Sequence, residues 1–169
     1  MEWVGSWLSW IHNFFREHGY AQEILPGVFL GDINVAQNKP YLHALGIKAI
    51  VNTAKDVPNF HPNDFHYYNI GFEDTGLPLV EPELPGLFAF IEAALQRKEA
   101  VLIHCIGGVS RSATFTIAYV MTKQQLRFPQ AFDHVRIRRQ IVNPKPGFLE
   151  QLQAYEKRLF DDAPERLWR

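Results

Sequence analysis

The side chains best able to do chemistry are consecutive: His104-Cys105-Ile106-Gly107-Gly108-Val109-Ser110-Arg111-Ser112. Cys105 is the only cysteine in the chain, and a thiolate is a strong nucleophile near neutral pH. Arg111 carries a planar guanidinium that can grip two oxygens of one phosphate, a contact that lysine cannot copy. Gly107 and Gly108 allow close approach of the backbone to a neighbour, or a positive φ. Together these residues suit capture of an oxyanion and attack on it by sulfur.

A stretch of this kind works only if its flanks hold it. Ala100-Val101-Leu102-Ile103 is short, apolar and rich in β-branched residues, which predicts a buried strand. Ala113 to Met121 predicts a helix, with Ser112 and Thr114 near its start. The chain therefore reads strand, glycine-containing loop, helix. Loop amides and a helix N-terminus form an anion site, and the same field stabilises a thiolate at Cys105. His104 precedes Cys105 in the strand, so its side chain points away from the bound anion and orients the loop.

His-Cys followed by five residues and Arg-Ser resembles the phosphate loop of cysteine-dependent phosphatases, and Gly108-Val109-Ser110-Arg111-Ser112 is similar to the dual-specificity protein phosphatase branch. The resemblance covers roughly residues 24 to 160. It includes Val28-Phe29-Leu30-Gly31, Gly46-Ile47 ahead of a strand, Ile117-Ala118-Tyr119-Val120-Met121, and Pro146-Gly147-Phe148 followed by Gln151-Leu152. With no sign of an N-terminal kinase-docking domain, the chain resembles the small, single-domain atypical members. By that resemblance Cys105 attacks phosphorus and forms a thiophosphate intermediate. The amides of Ile106, Gly107, Gly108, Val109, Ser110 and Arg111, with the Arg111 guanidinium, cradle the phosphate. Ser112 eases departure of Cys105, and neither a metal nor another cofactor is expected.

Hydrolysis also needs a proton for the leaving oxygen. Asp74, in Ile70-Gly71-Phe72-Glu73-Asp74-Thr75, lies just past a predicted strand, where loops gather at one end of an α/β sheet. Glu73 is its rival, and local chemistry leaves both open; the resemblance points to Asp74. Once deprotonated, that carboxylate would activate water for the second step.

No lysine lies between Cys105 and Arg111, and no long phosphotyrosine-gripping segment is evident between residues 52 and 70. A shallow pocket for phosphotyrosine, phosphoserine or phosphothreonine in a phosphorylated protein substrate follows as an expectation. The alternatives are a phosphoinositide or RNA 5′-phosphate substrate, or a phosphate-binding pseudoenzyme that serves as a scaffold. The presence of Cys105, Arg111, Ser112 and a candidate acid speaks against the scaffold, because binding alone would not require the nucleophile. Arg136, Arg138 and Arg139 read as a solvated helix face, one of them available to a second substrate phosphate. The family often has asparagine where this chain has Lys145, which adds a positive charge.

With 169 residues, 47% hydrophobic and 21% charged, the chain fits one soluble globular domain. A net charge of −1 gives no support for nonspecific nucleic-acid binding. One cysteine excludes an intramolecular disulfide and a Cys-rich zinc site, and the histidines show no ligand spacing. It suits a reducing compartment, cytoplasmic or also nuclear. Residues 1–19 predict an amphipathic, aromatic-rich helix, with Trp3, Trp7, Trp10 and Phe14 beside Val4, Leu8, Ile11 and Phe15. It is expected to pack on its own domain; a partner-binding or membrane-surface face is the alternative. It is too short and interrupted to span a bilayer. Residues 20–160 would form the catalytic domain and 161–169 a tail.

Strands are expected at 23–25 and 28–31, bent at Pro26-Gly27, then at 47–51, 65–70 and 100–103. Helices are expected at 35–45, capped by Asp32 or Asn34, and at 85–96, 113–121, 129–139 and 147–160. Strands alternating with helices make an α/β domain. The resemblance implies a central, mostly parallel sheet of four or five strands with helices on both faces.

Overall fold

The computed structural model describes residues 20–161. The helix expected over residues 1–19, and the tail beyond residue 161, lie outside the described residues.

Five strands form one sheet: β1 (Gln22–Leu25), β2 (Val28–Gly31), β3 (Ile47–Ala54), β4 (His66–Phe72) and β5 (Ala100–His104), in the order β1-β2-β5-β3-β4. Only β1 pairs antiparallel, across the Pro26-Gly27 turn; β2, β5, β3 and β4 run parallel. β5 is central, and both faces of the sheet are covered there. Val101 and Ile103 enter one core and Leu102 the other. A strand buried on both sides reads as a continuous apolar run, as this one does.

The larger core lies under α3 (Leu84–Gln96), α4 (Arg111–Gln124), α5 (Phe128–Arg138) and α6 (Pro146–Phe160), around Leu87, Ile91, Phe115 and Phe148. The smaller lies under α1 (Ile33–Gln37) and α2 (Lys39–Ala44), around Val35, Leu42 and Ile50. These two short helices replace the single helix expected over 35–45. Pro40 has no amide hydrogen and would clash with the preceding turn of a continuous helix. Asn38 therefore opens α2, accepting from the Tyr41 amide at 3.1 Å, while Asp32 caps α1 through the Val35 amide at 3.1 Å.

Two elements are longer than their apolar runs suggest. β3 continues through Asn52 and Thr53, because its pairing with β5 and β4 continues there. α4 begins at Arg111, two residues earlier than expected, so Ser112 sits inside its first turn and Ser110 takes the capping position. Because four strands are parallel, their C-terminal ends share one edge of the sheet. The loops after β2, β3, β4 and β5 meet there, the usual place for a ligand in an open α/β sheet.

Candidate active site

The loop between β5 and α4 is held from outside by its carbonyls. His104 O accepts from Thr53 Oγ1 at 2.8 Å on β3, and Ile106 O from the Ile33 amide at 3.0 Å on α1. Gly107 O and Gly108 O accept from Arg139 Nη2 and Nε, at 3.1 and 2.8 Å. Val109 O accepts from the Asn143 amide at 2.9 Å, and Ser110 O from Thr114 N and Oγ1, both at 2.9 Å. With the Cys105 carbonyl beside His104 Nδ1, every carbonyl from His104 to Ser110 has a partner. The amides of Ile106, Gly107, Val109 and Ser110 have none among the described residues. Carbonyls turned outward and amides left over inside make an anion nest.

Cys105, Ile106, Gly107, Val109, Ser110 and Arg111 line one open cleft with Lys55, Asp56, Glu73 and Asp74. Cys105 is 3% exposed. Its Sγ receives the Gly108 amide at 3.2 Å and lies 3.2 Å from Ser112 Oγ. The Gly108 amide, expected among the phosphate donors, is thus spent on sulfur. Ser112 stands beneath Cys105 within α4, and it is not that helix's cap.

Arg111 is buried, and its Nη1 donates to Phe72 O at 2.9 Å and to Asp56 Oδ1 at 3.2 Å. Its Nε is the one buried side-chain polar atom without a partner among the described residues. A buried donor left unpaired is costly, and an anion bound in the cleft would supply the missing acceptor. Asp56, which the sequence did not single out, thereby orients the guanidinium from the end of β3.

The two acid candidates differ in their neighbours. Glu73 accepts from Lys55 Nζ at 2.7 Å, and this hydrogen bond holds its carboxyl below the usual range. A carboxylate so held is a poor proton donor. Asp74 makes no ion pair or side-chain hydrogen bond among the described residues. His104 is buried, and that burial pushes it down to about 4. Its ring is therefore neutral at neutral pH, and contributes no charge to the nest.

Arg139 departs most from its expected place. It is 2% exposed, not solvated with Arg136 and Arg138. Besides Gly107 O and Gly108 O it holds Tyr20 O at 3.1 Å and the Gln22 side chain, with Asp32 Oδ2 at 3.8 Å. Every donor is committed behind the loop, so Arg139 cannot reach a second substrate phosphate. It caps the C-terminus of α5 four residues after buried Val135 and eight after buried Ala131, so it continues the buried row of that helix, whereas Arg136 and Arg138 lie off it. Replacement by Met is expected to cost about 3–5 kcal/mol in chemical denaturation, because loop carbonyls and Asp32 lose a buried partner. Lys145, the departure noted in sequence, braces the loop through its backbone: its amide donates to Ser110 Oγ at 3.2 Å.

The loop glycines are also unequal. Gly108 has φ +63, and a Cβ there would lie 2.5 Å from Gly31 O and from Arg139 Nη2. Gly107 lacks a positive φ, and its Cβ would meet the Val109 side chain, at 3.3 Å from Cγ2. Thermal melts should show Gly108→Ala destabilised by about 2 kcal/mol or more, and Gly107→Ala by less than about 1. Among the described residues no three His, Cys, Asp or Glu side chains cluster as a metal site.

The family description "Dual specificity phosphatase, catalytic domain" matches residues 28–158. The MAP kinase phosphatase with leucine-rich repeats protein 3 of Dictyostelium discoideum is 40% identical over 139 residues, which are 82% of this chain. The chain spans only 16% of that relative's length. Dual specificity protein phosphatase 1B of Arabidopsis thaliana is 36% identical over 141 residues, 83% of this chain and 84% of that protein. Among solved structures, the human tyrosine phosphatase-like serine/threonine/tyrosine-interacting protein superposes with a TM-score of 0.77 at 36% identity, covering 82% of this chain and 97% of that one.

Proposed function

The chain belongs to the dual specificity phosphatase family, and we propose that it hydrolyses phosphotyrosine, phosphoserine and phosphothreonine esters in proteins through a cysteinyl-phosphate intermediate. The observation that carries this reading is the outward-tied loop, whose free amides and unpartnered Arg111 Nε converge beside Cys105. In the first step Cys105 Sγ attacks phosphorus in line. The sulfur–phosphorus bond forms as the bond to the leaving oxygen breaks, and Asp74 gives that oxygen its proton. In the second, Asp74 takes a proton from water as the water attacks phosphorus. Sulfur then leaves as thiolate, with the Ser112 hydroxyl donating to it. The loop amides and Arg111 stabilise the charge on the equatorial oxygens throughout.

The charges at the rim favour a protein ester over a polyphosphorylated headgroup or RNA. Asp56, Glu73 and Asp74 face Lys55, which is already paired with Glu73, so a second phosphate would meet carboxylates. A dependence on the reduced thiol at Cys105 also supports a reducing compartment, cytoplasmic or nuclear. Phosphate release from phosphotyrosyl and phosphothreonyl peptides, phosphoinositide vesicles and 5′-phosphorylated RNA, with chelator present, tests the reading. Release from both peptides, absent in Cys105→Ser, is expected. Release only from lipid or RNA would overturn the substrate class. Tungstate binding without any turnover would make the protein a scaffold.

A further inference from the structure

The loop that carries Asp74 runs from the end of β4 to α3, and its two ends are well anchored. Phe72 packs against Phe115 and Phe148, with ring centroids 5.1 and 6.1 Å apart, and its carbonyl takes Arg111 Nη1 and the Lys55 amide. At the far end Val80 and Leu84 are buried. Between them the side chains give little purchase. Leu77 is 81% exposed and Leu79 69%, and among the described residues the Thr75 hydroxyl binds only the nearby Leu77 amide.

What ties this middle segment to the body of the protein is Gln151, a half-buried residue on the second turn of α6. Its Nε2 donates to Gly76 O at 3.1 Å and to Pro78 O at 3.0 Å, and its Oε1 accepts from the Val80 amide at 2.9 Å. One carboxamide thus satisfies alternate backbone groups along the loop, using both its donor and its acceptor ends. The loop also rests directly on the start of α6. A Cβ at Gly147 would lie 2.5 Å from Gly76 O, so the two backbones touch where both residues are glycine. Arg158, further along the same helix, pairs with Glu81 where the loop ends.

We propose that Gln151 is a positioning residue for proton transfer: from α6 it holds the loop backbone at Gly76, Pro78 and Val80, and so sets Asp74 against the leaving oxygen above Cys105. The proposal rests on the assignment of Asp74 as the acid. Gln151 is not among the residues lining the cleft, and its side-chain hydrogen bonds among the described residues all go to the loop, none to the phosphate loop or Arg111, so its effect should fall on the leaving group and not on phosphate binding. Loss of its grip lets the acid wander, and misplacement of about 1 Å is costly in rate.

Leaving-group dependence separates this role from general damage, because a good leaving group departs without a proton and a poor one does not. Gln151→Met removes all three hydrogen bonds. Gln151→Glu keeps the acceptor for Val80 but sets a carboxylate against two carbonyls. Both should lose about 10-fold or more in kcat/KM on phenyl phosphate, yet stay within about 2-fold on 2,4-dinitrophenyl phosphate. Tungstate inhibition, read in parallel, should not change. Equal losses on the two esters, or no loss in either variant, would overturn the proposal. Asp74→Asn run beside them should show the same selective loss, and more of it. If Asp74→Asn is selective and the Gln151 variants are not, the positioning role alone falls. If Asp74→Asn is not selective, the acid assignment falls and takes the proposal with it.

Discussion

Replacing Cys105 by Ser is expected to reduce phosphopeptide turnover by about 10⁴-fold or more while leaving tungstate affinity within a few-fold of wild type. The two effects separate because sulfur and cradle are built by different parts of the loop. The donors to an oxyanion are the inward amides and the Arg111 guanidinium, and they are held by carbonyl contacts to β3, α1, α5 and the segment before α6. None of those contacts involves Sγ. A serine hydroxyl can occupy the same volume, between the Gly108 amide and Ser112 Oγ. It lacks the acidity that lets the thiol ionise there, so it binds and does not attack. Isothermal titration with tungstate, beside single-turnover kinetics on a phosphotyrosyl peptide, checks both halves. Residual turnover within 100-fold of wild type would remove Cys105 from the nucleophile's role.

Asp74→Asn carries the second large effect, a loss of about 10²- to 10³-fold in kcat/KM on phenyl phosphate. The sign of its pH dependence follows from the need for a protonated acid. Wild-type kcat/KM should carry a basic limb, because the reaction needs a protonated acid, and that limb should vanish in Asp74→Asn, which has no acid proton to give. Glu73→Gln is the informative control. Glu73 is already held as a carboxylate by Lys55 at 2.7 Å, which keeps it ionised to lower pH than a free glutamate. Both partners are more than half exposed, so solvent screens the pair and its removal should cost little stability. Activity of Glu73→Gln should therefore stay within about 3-fold of wild type with the basic limb in place. A limb that persists in Asp74→Asn and disappears in Glu73→Gln would reverse the assignment. His104 does not supply the limb, because its buried ring is neutral throughout the neutral range.

Much of this was legible in the chain because it is local. The apolar run before Cys105 and the helix-forming run after Arg111 dictate strand, loop and helix, and a loop this short brings its first and last residues to the same anion. Alternation of strands with helices implied the α/β class, and the family resemblance a mostly parallel sheet; the five-stranded sheet with one antiparallel edge agrees with both. Local pattern was least informative where polar residues continued an element. β3 runs on through Asn52 and Thr53 because neighbouring strands supply its hydrogen bonds, a reason invisible in the residues themselves. The break at Asn38 was readable in principle, since Pro40 forbids a continuous helix there.

By itself the sequence singled out Cys105 and Arg111, the cysteine and arginine of the proposed mechanism, and the order of elements that carries them, since each depends on neighbours along the chain. Only the tertiary structure decided which of two adjacent carboxylates is free, because Lys55 reaches Glu73 from the turn after β3, distant in sequence. It alone separated Arg139 from Arg136 and Arg138, because the carbonyls that claim Arg139 lie in a loop distant in sequence. It alone brought Gln151 to the loop that carries Asp74, across three helices and one strand of intervening chain. Side-chain type fixes what a residue can do; packing between distant segments fixes which of several equivalent residues is placed to do it.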